Sequence, residues 1–154
     1  MLCDKHVVKM PLETAQMLVT SLVQWGLSYS DRPRTQSGNR YKCTHHNHPC
    51  TVWAGLSQAN FRWLCDHGLA LCDEYQFRYD RQHACRKVID HCATFRRQYI
   101  RRGDGLLPFV KAMPDDCKHG KAVSAYRRYY LHHKYQIATW DSGRPAPLWW
   151  RAAV

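Results

Sequence analysis

The chain has 154 residues, enough for one domain with a continuous core and too few for two of ordinary size. Its 45% apolar content, with six Trp and nine Tyr, excludes an intrinsically disordered chain. Nowhere do about 18 apolar residues follow one another, so a membrane-spanning helix is excluded too.

Lys and Arg number 23 against 12 Asp and Glu, a formal charge of +11. Such an excess points to a polyanionic partner: nucleic acid, with DNA ahead of RNA, or a phosphorylated substrate. The plain alternative is a basic surface that only keeps the domain solvated. Met1 to Met10 carry Asp4, Lys5, His6 and Lys9 with no apolar run behind them, which does not read as a secretory signal. The expectation is a cytoplasmic protein whose eight cysteines are thiols. Cys65 with Cys72, and Cys85 with Cys92, stand seven apart. On a helix that is a rise of about 10 Å, beyond the reach of a disulfide.

The first helical pattern covers residues 4–27, with Val8, Leu12, Ala15, Leu18, Val19, Leu22 and Val23 on one side. His6, Lys9, Glu13, Gln16 and Gln24 fall on the other, and Pro11 should kink or divide the run. Residues 29–50 lose all periodicity and hold Arg32, Arg34, Arg40 and Lys42 against the single acid Asp31, a long basic loop. A second helix is expected to begin between Thr51 and Ser57 and to end near Tyr79. One arc of it carries Trp53, Leu56, Asn60, Trp63, Leu64, His67, Leu71, Glu74 and Arg78. A third helix over residues 81–101 turns Cys85, Val88, Ile89, Cys92, Phe95 and Tyr99 inward and stops at Gly103 and Gly105. A fourth over residues 121–137 is expected to bury Val123, Tyr126, Tyr130 and Ile137, with an irregular tail over 138–154. The predicted fold is a single all-α domain spanning 1–154, an irregular bundle of about four to five helices.

Asn60, His67, Glu74 and Arg78 recur at intervals of seven, seven and four, a polar line within an apolar arc. Burying such groups costs several kcal/mol unless each is paired, so they either line a pocket or satisfy one another. Glu74 and Arg78 have the i,i+4 spacing of a helical ion pair. If the His6, Lys9 and Glu13 face meets this line, two histidines, two carboxylates, a lysine and an arginine gather in one place. There Glu13 or Glu74 suits a general base, and His6 or His67 a proton relay. Lys9 suits a charge-neutralising group or an amine nucleophile. The plain alternative is that His6, Lys9 and Glu13 form a solvated face.

The run from Tyr41 to Cys50 holds Cys43, His45, His46, His48 and Cys50, ligand types that zinc favours. Their spacing is tighter than a zinc knuckle's. The other reading of the segment has His48 capping the second helix with Pro49 in its first turn. Basic residues alternate with aromatics around Arg97, Arg101, Arg127 and Arg128, pairing phosphate contacts with stacking platforms; buried tyrosines would give the same pattern. No phosphate-binding glycine loop, dinucleotide fingerprint, zinc-deaminase signature or nucleophile elbow occurs.

The stretches Cys3-Asp4-Lys5-His6-Val7-Val8-Lys9-Met10, Glu13-Thr14-Ala15-Gln16, His48-Pro49-Cys50 with Trp53, and Leu71-Cys72-Asp73-Glu74-Tyr75 with Arg78 resemble a family of small bacteriophage proteins. Met113-Pro114-Asp115 and Ala125-Tyr126-Arg127-Arg128-Tyr129-Tyr130 resemble it as well, so the likeness runs from about Leu2 to Trp140. In that family a short extended segment precedes the Cys-Asp-Lys-His motif, which here begins at Cys3. Its members carry DNA-modification or pyrimidine-dimer-glycosylase-like labels. The resemblance implies a site drawn from His6, Lys9, Glu13, His48, His67, Glu74 and Arg78, inside a bacterial host cell.

Three functions follow, in order. The first is an enzyme acting on a DNA base, by glycosidic cleavage or by transfer onto a modified pyrimidine, with His6, Lys9, Glu13, His48, His67 and Glu74 catalytic and no cofactor. Arg40, Lys42, Asn60, Arg78, Arg97, Arg101, Arg127 and Arg128 would hold the nucleic acid. The second is a nucleic-acid-binding domain without turnover. The third is a zinc-stabilised interaction module on Cys43, His45, His48 and Cys50.

Overall fold

The computed structural model describes residues 1–99 and 105–153, apart from the side chains of residues 96–99. Among the described residues the fold is all-α. It comprises α1 (Asp4–Gln24), α2 (Pro49–Leu56), α3 (Gln58–Tyr79), α4 (Arg86–Tyr99), α5 (Ala122–His133) and α6 (Leu148–Arg151), with 3-10 turns at Asp115–Cys117 and Tyr135–Ile137. No helix is long and apolar enough to cross a membrane, among the same residues.

The main core lies where α1, α3 and α4 cross, and α2 covers one end of it with Trp53 and Ala54. Gly68 of α3 sits at that crossing. A Cβ there would lie 2.6 Å from Thr14 Cγ2 and 3.0 Å from Ile89 Cδ1, so the missing side chain lets three helices approach. A smaller core holds Cys3, Tyr130, Ala138, Trp140 and Trp150, and a third holds Met113, Cys117 and Ala125.

α1 runs unbroken through Pro11, which is buried. Its first half is rotated from the expected orientation: Val8 and Leu12 are 45% and 42% exposed, while Asp4, Val7, Pro11 and Thr14 are buried. The polar members of that inward face have partners that local periodicity does not reveal. Asp4 is bound by Arg78, and Thr14 packs against the bare backbone of Gly68.

The expected single second helix is two. Ser57 has an extended backbone (φ −152°) that ends α2, and its hydroxyl accepts the Asn60 N–H to start α3. The same hydroxyl donates to the Gly105 carbonyl at 3.0 Å. This is a Ser N-cap in its ordinary role. His48 caps α2 by accepting the Cys50 N–H, with Pro49 in the first turn.

Residues 25–48 form an ordered connection with a single antiparallel bridge between Arg34 and Arg40. Tyr41 is buried with its hydroxyl 3.5 Å from Cys85 Sγ, and Thr20 and Thr44 exchange hydrogen bonds of 2.8 and 3.0 Å. α5 also differs in rotation from expectation: Val123 is 63% exposed and Ala125 takes the inward position, while Tyr130 is buried as expected. All eight cysteines are free thiols.

Candidate active site

The line of polar groups on α3 is closed into the fold. Asn60 is wholly buried; its side-chain amide donates to Trp53 O (2.7 Å) and its Oδ1 accepts the Leu107 N–H (2.9 Å). It pins the segment after residue 105 to α2 and is not free to meet a phosphate or base. Arg78 is buried too, and donates to Asp4 Oδ1 (2.8 Å), Glu74 Oε1 (2.7 Å) and Leu2 O (3.1 Å). Glu74 also holds Arg144 at 3.0 Å, and the second Asp4 oxygen accepts the N–H groups of Asp141 and Ser142.

Burial opposes the charge on Glu74, but hydrogen bonds from Arg144 and Arg78 outweigh it and lower its pKa. Glu74 is therefore a fixed anion in a clasp that joins α1, α3 and the tail, and is not poised as a base. His67 stacks on Trp63 with ring centroids 4.8 Å apart, and burial lowers its pKa. His67 and Glu74 do share a cleft of about 440 Å³, lined also by Met1, Val7, Leu71 and Arg144.

His6, Lys9 and Glu13 lie elsewhere. Their side of α1 faces α5, not the polar line of α3. Lys9 Nζ meets Glu13 Oε1 at 2.7 Å, with the lysine 65% and the glutamate 29% exposed. The hydrogen bond and charge of Glu13 raise the Lys9 pKa, so the amine stays protonated. His6 Nδ1 shares a hydrogen bond with the Tyr130 hydroxyl, and the rings meet edge to face. Burial first, then the nearby charges of Lys134 and Lys9, lower the His6 pKa, leaving a neutral imidazole at physiological pH.

Four neighbours complete this face. Cys50, at the start of α2, lies near Tyr126 of α5, whose hydroxyl donates to Val110 O at 3.3 Å, and the Glu13 charge reaches Cys50. Burial raises the Cys50 pKa, so the group is a thiol and not a ready nucleophile. Tyr129 lies near Lys9 and carries Lys134 over its ring at 5.0 Å. The expected gathering of all six ionisable groups is thus replaced by two separate sets, one on each side of α1. Cys50, Tyr126, Tyr129, Tyr130 and Lys134 were not singled out for this site. The signal present in the sequence was Tyr126, Tyr129 and Tyr130 at helical spacing, and Cys50 directly after the capping Pro49.

His48 is engaged in its cap and reaches this face only through Cys50. Among the expected nucleic-acid contacts, Arg127 is exposed and lies 5.6 Å from the Trp149 ring, and Lys42 is exposed. Arg40 donates to Arg32 O at 2.6 Å, and Arg128 donates to the carbonyls of Cys117 and His119, so both brace loops. The Arg97 side chain and Arg101 lie outside the described residues. Cys43, His45, His48 and Cys50 do not gather as metal ligands: among the described residues, the one group of three donors within 4.8 Å is Asp116, Cys117 and His133.

No family model, curated protein or solved structure matches the chain.

Proposed function

We propose that this is a DNA base-processing enzyme of the phage type, working through the face where α1 meets α5. The observation that carries it is the Lys9–Glu13 pair at 2.7 Å beside a neutral His6, on an open face of a chain with net charge +11. A carboxylate held in one place, a cation beside it and an uncharged imidazole are the parts that breaking a base–sugar bond requires.

In glycosidic cleavage the C1′–N bond breaks and its electron pair leaves with the base. Glu13 takes a proton from the attacking water, and the neutral His6 gives its ring proton to the departing base and regains one from Glu13. Lys9 attracts phosphate and orients Glu13. It does not attack as an amine, because Glu13 keeps it protonated. In transfer onto a modified pyrimidine, Glu13 would take the proton of the pyrimidine's nucleophilic group as that group bonds the incoming moiety, whose donor departs with the electron pair of the broken bond.

A second function, nucleic-acid binding without turnover, is favoured by the openness of the face, with Lys9 65% exposed. The test is incubation of the whole chain with DNA oligonucleotides of natural and modified pyrimidines, followed by nucleoside mass spectrometry and binding anisotropy. The enzyme predicts an altered base with wild type and loss of at least about a hundredfold in Glu13→Gln, with binding little changed. Salt-sensitive binding with no altered base selects the second function. Absence of binding overturns both.

A further inference from the structure

We infer that the 3-10 turn Asp115–Cys117 and the last turn of α5 form a binding site for a borderline divalent transition ion, zinc foremost, with Asp116, Cys117 and His133 as ligands. None of the three ligands belongs to the α1–α5 face proposed for DNA, and the site stands whether or not that proposal does.

The geometry is nearly that of a coordinated ion. Asp116 Oδ2 lies 2.8 Å from His133 Nε2 and 3.6 Å from Cys117 Sγ, and the three donor atoms lie within 4.8 Å of one another. Zinc bonds of about 2.0–2.3 Å place tetrahedral ligands roughly 3.3–3.8 Å apart, so shifts of about 1 Å close the shell. An ion pair alone would account for Asp116 with His133. The Cys117 thiol donates a hydrogen bond to the same carboxylate oxygen, so a thiol and an imidazole converge on one carboxylate, the mixed donor set that zinc takes. His132 Nδ1, 3.9 Å from that oxygen, stands by as a fourth ligand; a water is the alternative.

The turn is held from behind, which leaves these donors facing α5. Arg128 donates to the carbonyls of Cys117 and His119, and Lys111 Nζ donates to those of Lys118 (2.7 Å) and Gly120 (2.5 Å). Lys118 is turned to Asp115 at 2.8 Å and away from Asp116. Behind the thiol, Met113 and Ala125 form a dry wall. The C-terminal end of α5 favours a cation through its unpaired carbonyls. A groove of about 730 Å³, lined by His132, His133 and Lys134, opens beside the ligands and gives an ion access. On binding, Cys117 Sγ loses its proton to solvent and becomes the thiolate ligand, so uptake releases about one proton per ion.

The experiment is titration of the reduced whole chain with Co²⁺, then displacement by Zn²⁺, read by the thiolate-to-cobalt charge-transfer band. The expected result is one ion per chain with that band. Cys117→Ser should remove it, and His133→Ala should weaken affinity at least tenfold. His133 is on the surface, so its variant keeps the fold, and circular dichroism checks this. A Cys43→Ser/Cys50→Ser double variant should bind as wild type. Retention of the band in Cys117→Ser, its loss in the double variant, or no binding at all would each overturn the site.

Discussion

Asp4 and Glu13 stand on the same helix nine residues apart, each paired with a cation, yet their circumstances differ. Asp4 meets a buried arginine, and both its oxygens are taken by groups from α3 and the tail. Glu13 meets a lysine that is 65% exposed and keeps solvent access itself. The first pair joins distant parts of the chain, whereas the second joins neighbours one turn apart that the helix already holds. A charge pair's role follows from what else it closes, not from the residues in it. On this account the Asp4–Arg78–Glu74–Arg144 clasp is structural, and the Lys9–Glu13–His6 face is available for chemistry.

The comparison breaks most visibly at Arg78. Arg78→Met leaves Asp4 and Glu74 without their common cation, which should cost about 3–5 kcal/mol in urea unfolding. A loss below about 1 kcal/mol would mean the clasp does not organise the fold. Next comes Gly68→Ala, whose Cβ would meet Thr14 and Ile89; overpacking should cost about 1–3 kcal/mol by the same measurement. On the other side of the contrast, Lys9→Met and Glu13→Gln should each shift stability by less than about 1 kcal/mol, as exposed pairs do. If either unfolds the protein, the contrast is lost.

The smallest effects concern pH. The folded-state pKa of Glu74 is lowered, so its contribution to stability is complete above its unfolded pKa and disappears as pH falls through the folded one. The loss should therefore begin in the normal carboxylate range and finish below it, and Arg144→Met, by raising the folded pKa, should shrink it. For His6 the pKa also lies below the ordinary imidazole value, so the neutral ring contributes stability above that value and loses it on further acidification. NMR titration of the His6 ring should show this. Lys134→Met should move the His6 midpoint upward, because it removes a nearby positive charge.

The helical class was legible because apolar spacing near 3.6 residues recurs along the chain. The rotation of α1 was not. Val8 and Leu12 look like core residues, but Asp4 and Thr14 take the inward positions because Arg78 and Gly68, more than fifty residues away, accommodate them. The Glu74–Arg78 pairing was visible as i,i+4 spacing, whereas its extension to Asp4 and Arg144 depends on tertiary structure. His6, Lys9 and Glu13 were correctly placed on one face, but their partners on α5 lie over a hundred residues away. Asp116, Cys117 and His133 form no short-spaced motif, so only the folded chain brings those donors together.

The most direct test of the central contrast is an amide chemical-shift footprint of a DNA oligonucleotide on the whole chain. The account predicts shifts concentrated around Lys9, Glu13, Tyr129 and Lys134, with the amides of Asp4, Glu74 and Arg78 unmoved. Shifts centred on the clasp or on residues 34–42, with α1 and α5 silent, would contradict it.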